Sequence, residues 1–177
     1  MKVIVLDRDG VINHDSDQYI KSADEWVPIA GSLAAIASLN ERFKVAIATN
    51  QSGIGRDYYD VAALNAMHNK MSNLLIQHNG HIDHIEFCPH HPDDGCDCRK
   101  PKTQMLENIG NEFKANPSEM LFVGDSTSDY NCAQSFGCQF VLVLTGKGLK
   151  TLEKLAGETL VIEKSLAKLV ETISINQ

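Results

Sequence analysis

Short apolar runs alternate with longer amphipathic stretches along almost the whole chain. The runs are rich in Val, Ile, Leu and Phe and predict six β-strands: Val3–Leu6, Val45–Ala48, Ile82–Phe87, Met120–Val123, Phe140–Leu144 and Leu160–Ile162. The stretches between and after them have helical spacing and predict six α-helices: Ser32–Glu41, Val61–His78, Gln104–Lys114, Ser128–Phe136, Lys150–Leu155 and Leu166–Ile173. Because strand–helix alternation implies crossover connections, we predict an α/β fold whose parallel sheet carries helices on both faces.

Two segments interrupt this alternation, and both are too polar and turn-rich to belong to the core. They are Asn13–Pro28, after the first strand, and Cys88–Pro101, after the third. We interpret them as excursions around an active site. Neither is long enough to form a large cap domain, and no repeat or linker divides the chain. The sequence therefore predicts a single Rossmann-like, three-layer domain over residues 1–177.

The charge balance restricts the class of partner. The 177 residues include 16 basic and 23 acidic side chains, giving a formal net charge of -7. Binding along a nucleic-acid backbone needs a basic face, so we expect no nucleic-acid partner. The apolar runs are far shorter than a membrane span, and Asp7 falls where a signal sequence would need apolar residues. We expect a cytoplasmic monomer without a membrane partner. The acidic balance does not argue against a small phosphorylated substrate, because a metal and a few placed cations can bind one phosphate.

Carboxylates and a hydroxyl directly follow three of the predicted strands. Asp7 and Asp9 follow the first, Thr49 follows the second and Asp125 follows the fourth. Ligands of open α/β sheets bind beyond the carboxyl ends of the strands, so we expect these side chains at one rim. There Asp7 can attack phosphorus, and Asp9 can act as general acid and base. Asp7 and Asp125 are oxygen ligands suited to Mg²⁺.

Each of these features alone has a simpler explanation as a turn or a helix cap, but their order resembles the four motifs of haloacid-dehalogenase-superfamily phosphatases. The segment Asp7–Asn13 is similar to the first motif, Thr49–Asn50 to the second, Lys100 to the third and Gly124–Asp129 to the fourth. The Arg-Lys-Pro pattern favours Lys100 over Lys102 as the motif lysine. The resemblance covers nearly the whole chain and implies a Mg²⁺-dependent phosphomonoester hydrolase.

The resemblance also implies a role for each motif residue. Asp7 would be the nucleophile and a Mg²⁺ ligand, and Asp9 the general acid/base and a ligand through its carbonyl. Thr49 and Lys100 would stabilise the transferring phosphoryl group, and Asp125 would complete the metal site. Asp129, the last carboxylate of the fourth motif, would orient Asp125 or Lys100.

The second excursion contains a cluster of soft metal ligands. Cys88 and His90 are two residues apart, as are Cys96 and Cys98, and this paired spacing suits a closed tetrahedral Zn²⁺ site. His91 is the alternative histidine, and a loop of redox-labile thiols is the alternative interpretation. Because four protein ligands leave no open position, the zinc would be structural. The loop runs directly into the third motif, which it would order.

Two segments narrow the substrate. Thr49–Arg56, with the sequence TNQSGIGR, and Cys96–Pro101, with the sequence CDCRKP, resemble the phosphatases of bacterial heptose biosynthesis. That resemblance implies removal of the 7-phosphate of D-glycero-D-manno-heptose 1,7-bisphosphate through an aspartyl phosphate, on the route to the ADP-heptose of lipopolysaccharide core. Histidinol-phosphate phosphatase is the nearest alternative. A catalytically dead, zinc-stabilised binding protein is a remote one.

The same resemblance implies the substrate contacts. Arg99 would bind the distal phosphate, beside Lys100. The expected sugar contacts lie in the first excursion and in the second motif: Asp15, Ser16, Asp17, Gln18, Thr49, Asn50, Gln51 and Ser52.

Overall fold

The computed structural model describes residues 1–175, so the last two residues of the predicted domain lie outside the described part. Its strands are β1 (Val3–Leu6), β2 (Lys44–Asn50), β3 (His84–Cys88), β4 (Met120–Gly124), β5 (Gln139–Val143) and β6 (Val161–Glu163). Its α-helices are α1 (Ser32–Asn40), α2 (Val61–Gln77), α3 (Gln104–Phe113), α4 (Thr127–Phe136), α5 (Gly148–Lys154) and α6 (Leu166–Ile175). Short 3₁₀ turns at Pro92–Asp94 and Pro117–Glu119 complete the described elements.

The predicted α/β fold is confirmed. Each predicted strand and helix is present in the described residues, with ends displaced by at most two residues. The strand β2 shows why the ends differ. Its polar last residues, Thr49 and Asn50, remain paired with Phe87 and Cys88 of β3, because backbone hydrogen bonds continue the ladder beyond the apolar run.

All the strand pairs in the described sheet are parallel, in the order β3-β2-β1-β4-β5-β6. The connections therefore run outward in one direction from β1 and in the other from β4. Parallel sheets of this kind bind ligands outside the carboxyl ends of the strands at the point where the order reverses. The fold thus places the first and fourth motifs side by side at the switch point.

Alternate residues of the central strand serve different faces of the sheet. Ile4 and Leu6 of β1 belong to the apolar cluster beneath α1, α2 and α6, whereas Val3 and Val5 belong to the cluster beneath α3 and α4. All four side chains are buried. The sheet is therefore the middle of three layers, and its strand ends are rigidly held by packing on both sides.

The first excursion contributes more to the core than its composition predicts. An antiparallel bridge between Asn13 and Pro28 closes its base, and Trp26 is fully buried in the cluster beneath α1 and α2. The expectation that this segment stays outside the core is therefore wrong for Trp26. A single large aromatic side chain anchors an otherwise polar segment. The polar composition of the segment does not predict the burial of that side chain.

The described part of the chain contains no inserted cap domain between its motifs. Among residues 1–175, no helix has the length and apolar character needed to cross a bilayer.

A buried histidine lies behind the first motif. His68 of α2 is buried, and its Nε2 has no hydrogen-bond partner among the described residues. Burial, reinforced by the nearby Arg8 guanidinium, lowers the pKa of His68 to about 4. In the unfolded chain this imidazole binds a proton near pH 6.5, so acid favours unfolding between these two values.

We predict that His68→Gln reduces the acid sensitivity of the fold. From pH 7 to pH 4.5 the wild-type protein should lose about 2 kcal/mol more free energy of unfolding than the variant, because only the wild type must keep a buried imidazole neutral. Urea titrations at the two pH values measure the difference. His78→Gln, an exposed histidine at the end of the same helix, is the control and should behave like the wild type. Parallel pH profiles for wild type and His68→Gln would contradict the prediction.

Candidate active site

A cleft of about 280 Å³ opens at the switch point of the sheet. Most of the predicted site residues line it: Asp7, Asp9, Asp15, Ser16, Asp17, Thr49, Asn50, Gln51, Ser52, Arg99, Lys100 and Asp125. Gln18 is exposed and does not line the cleft. Its neighbour Tyr19 adopts a positive φ of 65°, and the Tyr19 side chain lines the cleft instead.

A buried ammonium group joins three strand ends at the floor of the cleft. The Lys100 Nζ atom lies 3.1 Å from Asp7 Oδ1 and 2.7 Å from Asp129 Oδ1, and it donates to the Ala48 carbonyl at 2.7 Å. Burial alone would lower the pKa of Lys100, but the carboxylates of Asp129 and Asp7 outweigh it and raise the pKa. Lys100 therefore stays charged beside the predicted nucleophile.

The carboxylates around this lysine form a site for a hard cation. One oxygen from each of Asp7, Asp125 and Asp129 lies within 4.8 Å of the others. Burial raises the pKa of Asp7 to about 7 and that of Asp125 to about 8, and repulsion between the carboxylates adds to both shifts. A divalent cation bound by Asp7 and Asp125 would relieve that repulsion, so the donor set fits Mg²⁺.

Two of these three carboxylates face the cleft, and the third faces Lys100. Asp129 directs one oxygen at the lysine, and its Oδ2 accepts hydrogen bonds from the backbone N–H and the hydroxyl of Ser126. Both residues belong to the capping box that begins α4. Gly10 packs so closely against Asp125 that a Cβ atom there would collide with the carboxylate. The first motif therefore needs glycine at position 10 to approach the fourth.

Asp9 does not point toward this cation site. Its carboxylate accepts hydrogen bonds from the Arg8 guanidinium, from Asn13 Nδ2 at 2.8 Å and from Gln51 Nε2 at 2.9 Å. Burial would raise the pKa of Asp9, but the Arg8 charge and these hydrogen bonds outweigh it and lower the pKa. If Asp9 binds the cation, the carbonyl is the group to do so, as the sequence predicted.

The second motif holds other residues of the site in place. Asn50 donates from Nδ2 to the Lys100 carbonyl at 3.2 Å and accepts from the Lys100 N–H at 3.1 Å. Gln51 contacts Asp9 and Thr49, both through Nε2 at 2.9 Å. The sequence grouped Asn50 and Gln51 with the sugar contacts; the structure directs their side chains toward protein groups that line the same cleft.

Two cations lie at the mouth of the cleft. The buried Nη1 atom of Arg99 has no hydrogen-bond partner among the described residues. Lys147, in the loop after β5, lies 2.8 Å from Asp15, and its backbone N–H donates to Asp125 at 2.7 Å. Burial would lower the pKa of Lys147, but the contact with Asp15 outweighs it and raises the pKa.

The residues of this site that sequence reasoning missed include Arg8, Tyr59 and Lys147. Lys147 lies in the loop that follows β5, so the strand-end rule applied to the other motifs would have found it. Arg8 lies between two motif aspartates, beyond the end of β1, and the strand-end rule assigned it no role although its guanidinium binds Asp9. Tyr59 donates to Gln51 at 2.6 Å from a turn-rich segment, and neither periodicity nor spacing predicts that contact.

The predicted zinc ligands converge in the second excursion. The sulfur atoms of Cys88 and Cys98 each lie 3.6 Å from that of Cys96, and His90 Nδ1 lies 3.6 Å from Cys88 and 3.2 Å from Cys98. Zn–S bonds of about 2.3 Å in a tetrahedron would separate the sulfurs by about 3.8 Å, so the cluster fits Zn²⁺.

The structure distinguishes the two candidate histidines. His91 accepts a hydrogen bond from the Asp93 N–H through Nδ1 and begins the 3₁₀ turn, whereas His90 faces the thiols. The loop is tied to the second motif by two backbone bonds: the Gln51 N–H donates to the Cys88 carbonyl and the Gly55 N–H to the Pro89 carbonyl. Order in the cysteine loop is therefore transmitted directly to the cleft.

Comparison with known proteins agrees with this geometry. A family model described as HAD-hydrolase-like matches residues 97–169. The chain is 51% identical over 174 residues to the D-glycero-beta-D-manno-heptose-1,7-bisphosphate 7-phosphatase of Pseudomonas putida, covering 98% of this chain and 99% of that one. It is 52% identical over 155 residues to the enzyme of the same name from Neisseria meningitidis, covering 87% and 83%.

Solved structures extend the agreement to three dimensions. The D,D-heptose 1,7-bisphosphate phosphatase of Bordetella bronchiseptica, complexed with magnesium and phosphate, superposes with a TM-score of 0.96 at 45% identity over all of both chains. The corresponding Burkholderia thailandensis protein has a TM-score of 0.77 at 39% identity, covering 98% of this chain and 99% of that one. This chain therefore belongs to the D-glycero-D-manno-heptose-1,7-bisphosphate 7-phosphatase family of HAD-like hydrolases.

Proposed function

We propose that the protein removes the 7-phosphate of D-glycero-D-manno-heptose 1,7-bisphosphate through an aspartyl-phosphate intermediate, in the synthesis of ADP-heptose for lipopolysaccharide core. The observation that carries the proposal is the convergence of Asp7 with Lys100 and Asp125 on the floor of the cleft. The names of the relatives support the choice of substrate.

The first half of the reaction transfers the phosphoryl group to Asp7. Its Oδ1 is held by the Arg8 N–H at 2.7 Å and by Lys100 at 3.1 Å, so we assign Oδ2 as the attacking atom. As the Oδ2–P bond forms, the bond from phosphorus to the sugar oxygen breaks, and Asp9 in its protonated form gives that oxygen a proton. Lys100 would place its positive charge beside the nonbridging oxygens, and Thr49 would donate a hydrogen bond to one of them.

The second half releases inorganic phosphate. Asp9, now a carboxylate, removes a proton from a water molecule that attacks phosphorus and restores Asp7. Asp7, Asp125 and the Asp9 carbonyl would hold Mg²⁺, which supplies the positive charge that lets two anions meet. The Arg8 charge and the hydrogen bonds that lower the pKa of Asp9 favour the carboxylate needed in this half over the protonated form needed in the first half.

We propose that Cys88, His90, Cys96 and Cys98 hold a structural Zn²⁺. The loop between its ligands has few apolar side chains, and the described residues of its 3₁₀ turn are not buried. Burial cannot order such a loop, whereas four metal bonds can. Because Arg99 and Lys100 directly follow Cys98, this order fixes two residues of the cleft.

Charge at the mouth of the cleft favours an anionic over a cationic substituent on the substrate. Lys147 neutralises Asp15, while the Arg99 Nη1 atom has no described partner. A distal phosphate would satisfy the planar guanidinium through two hydrogen bonds. The amine of histidinol phosphate would find Asp15 already paired with Lys147, which leaves only the Asp17 carboxylate of this excursion in the cleft lining. A sugar bisphosphate is therefore the better fit.

We predict that Asp7→Asn lowers kcat by at least about 10³-fold while the fold survives, because an amide does not attack phosphorus. Release of inorganic phosphate from the heptose bisphosphate measures the loss, and circular dichroism checks the fold. Asp24→Asn, which removes one exposed charge of the first excursion outside the cleft, is the control and should keep wild-type activity. A variant that retained a tenth of the wild-type rate would refute the nucleophile assignment.

We predict about one zinc per chain in protein purified without chelators, and its loss in Cys96→Ser. Because zinc orders the third motif, the variant should also have a lower Tm and a lower kcat, and its residual activity should still require Mg²⁺. Elemental analysis measures the metal. Cys138→Ala removes a cysteine outside the cluster and should retain zinc. Zinc-free wild-type protein with full activity would rule out this role.

We predict that Arg99→Ala raises KM for the heptose bisphosphate about 10- to 100-fold, the value of a charge-assisted bidentate contact. The KM for a heptose 7-phosphate, which lacks the 1-phosphate, should rise far less. The comparison of kcat/KM for both sugars and for histidinol phosphate, in wild type and variant, tests the assignment. Equal wild-type efficiency on histidinol phosphate would overturn the substrate choice and leave only the phosphatase class.

A further inference from the structure

We propose that Gln51 is a positioning residue that fixes Asp9, and that it makes no contact with the sugar. Arg8 and Tyr59 would in turn fix Gln51. This inference rests on the proposed function, because it assigns Gln51 an effect that passes through the general acid/base of that reaction.

The hydrogen-bonding capacity of the Gln51 amide is filled by protein groups. Nε2 donates both its protons, to Asp9 Oδ2 and to Thr49 Oγ1, each at 2.9 Å. Oε1 accepts from Arg8 Nη2 at 3.1 Å and from the Tyr59 hydroxyl at 2.6 Å. An amide has two donors and two acceptor positions, so no capacity is left for a sugar hydroxyl. The side chain is also buried, with 2% of the residue exposed.

Its neighbours determine which way the amide points. Arg8 only donates, so the atom facing it must be the oxygen, and an ionised Asp9 only accepts, so the atom facing it must be the nitrogen. The opposite orientation would place two donors against each other and two acceptors against each other. Arg8 and Asp9 therefore permit one orientation, and the Tyr59 hydroxyl reinforces it.

This orientation fixes the Asp9 carboxylate at both oxygens. Oδ1 accepts from Arg8 Nε at 3.1 Å and from Asn13 Nδ2 at 2.8 Å, while Oδ2 accepts from Arg8 Nη2 at 3.0 Å and from Gln51. Arg8 is fully buried, so water cannot solvate its charge, and the Asp9 carboxylate must compensate it. Without Gln51, Asp9 Oδ2 would lose its partner from the segment that directly follows the second motif.

The same amide also prepares Thr49 for its role. By donating to the Thr49 oxygen, Gln51 occupies one acceptor position of the hydroxyl and leaves its single proton to point elsewhere. A phosphoryl oxygen in the cleft is the acceptor that this proton would meet. Gln51 therefore connects Asp9, which would transfer the proton, to Thr49, which would bind a phosphoryl oxygen.

A positioning role has a kinetic signature that a sugar contact lacks. In Gln51→Met, which keeps the volume and removes all four hydrogen bonds, kcat should fall about 10- to 100-fold because the acid/base is misplaced. KM for the heptose bisphosphate should change less than about twofold, since no substrate contact is removed. Tyr59→Phe should lower kcat by a smaller factor. The control is Tyr58→Phe, the adjacent exposed tyrosine, which should behave like the wild type.

A double-mutant cycle with Asp9→Asn tests whether the effect passes through Asp9. If it does, the fold-decrease in kcat caused by Gln51→Met should be at least tenfold smaller in the Asp9→Asn background than in the wild-type background. Effects that multiply fully in the double variant, or a raised KM with unchanged kcat, would overturn the inference. So would a fall in Tm that accounts for the lost activity. Tyr59→Phe provides the same test if Gln51→Met does not fold.

The outcomes separate the inference from the function on which it rests. If Asp7→Asn and Asp9→Asn retain activity, the proposed mechanism is wrong. If both variants are severely impaired but the effect of Gln51→Met multiplies with that of Asp9→Asn, the mechanism stands and Gln51 does not act through Asp9.

Discussion

The ammonium group of Lys100 is the interaction on which the site depends. It is almost completely buried, yet its three protons meet the Asp7 carboxylate, the Asp129 carboxylate and the Ala48 carbonyl. Asp7 directly follows β1, Asp129 lies in the first turn of α4 after β4, and Ala48 lies within β2. If it lost both carboxylates, this buried charge would be left unpaired, at a cost of several kcal/mol. The lysine therefore holds three strand ends in one arrangement, and the cleft follows from that arrangement.

Lys100 comes from a segment that has little means of ordering itself. The loop before it offers few buried side chains, so its position is imposed from outside: Asn50 binds the Lys100 backbone at both its N–H and its carbonyl. On the other side, four zinc-type ligands converge just before Arg99. The second motif and the cysteine loop thus act on the same residue from opposite ends. A phosphatase frame without a cap domain has no other large element to hold this lysine.

Periodicity and strand-end position were sufficient to predict the sheet and its layers, and the family resemblance added most of the residues around the cleft. They were not sufficient to predict which side chain binds which. Asn50 and Gln51 were predicted to contact sugar because the family resemblance implies it, but their partners, Lys100 and Arg8, are distant in sequence. Hydrogen-bond partners depend on the side-chain geometry of several elements at once. A spacing rule reports only where the backbone of each element ends, and it cannot show that a polar group already has its partners.

That distinction changes how selectivity arises in an open cleft. If the second motif is engaged with protein groups, the groups left to recognise a substrate are those at the mouth. There Lys147 pairs with Asp15, and Arg99 lines the cleft with a buried guanidinium nitrogen that has no described partner. For the proposed substrate, recognition would then depend on a second anionic group at the correct distance from the reacting phosphate, more than on the pattern of hydroxyls between them. A sugar with two phosphates supplies both anchors itself, which removes the need for a cap to enclose it.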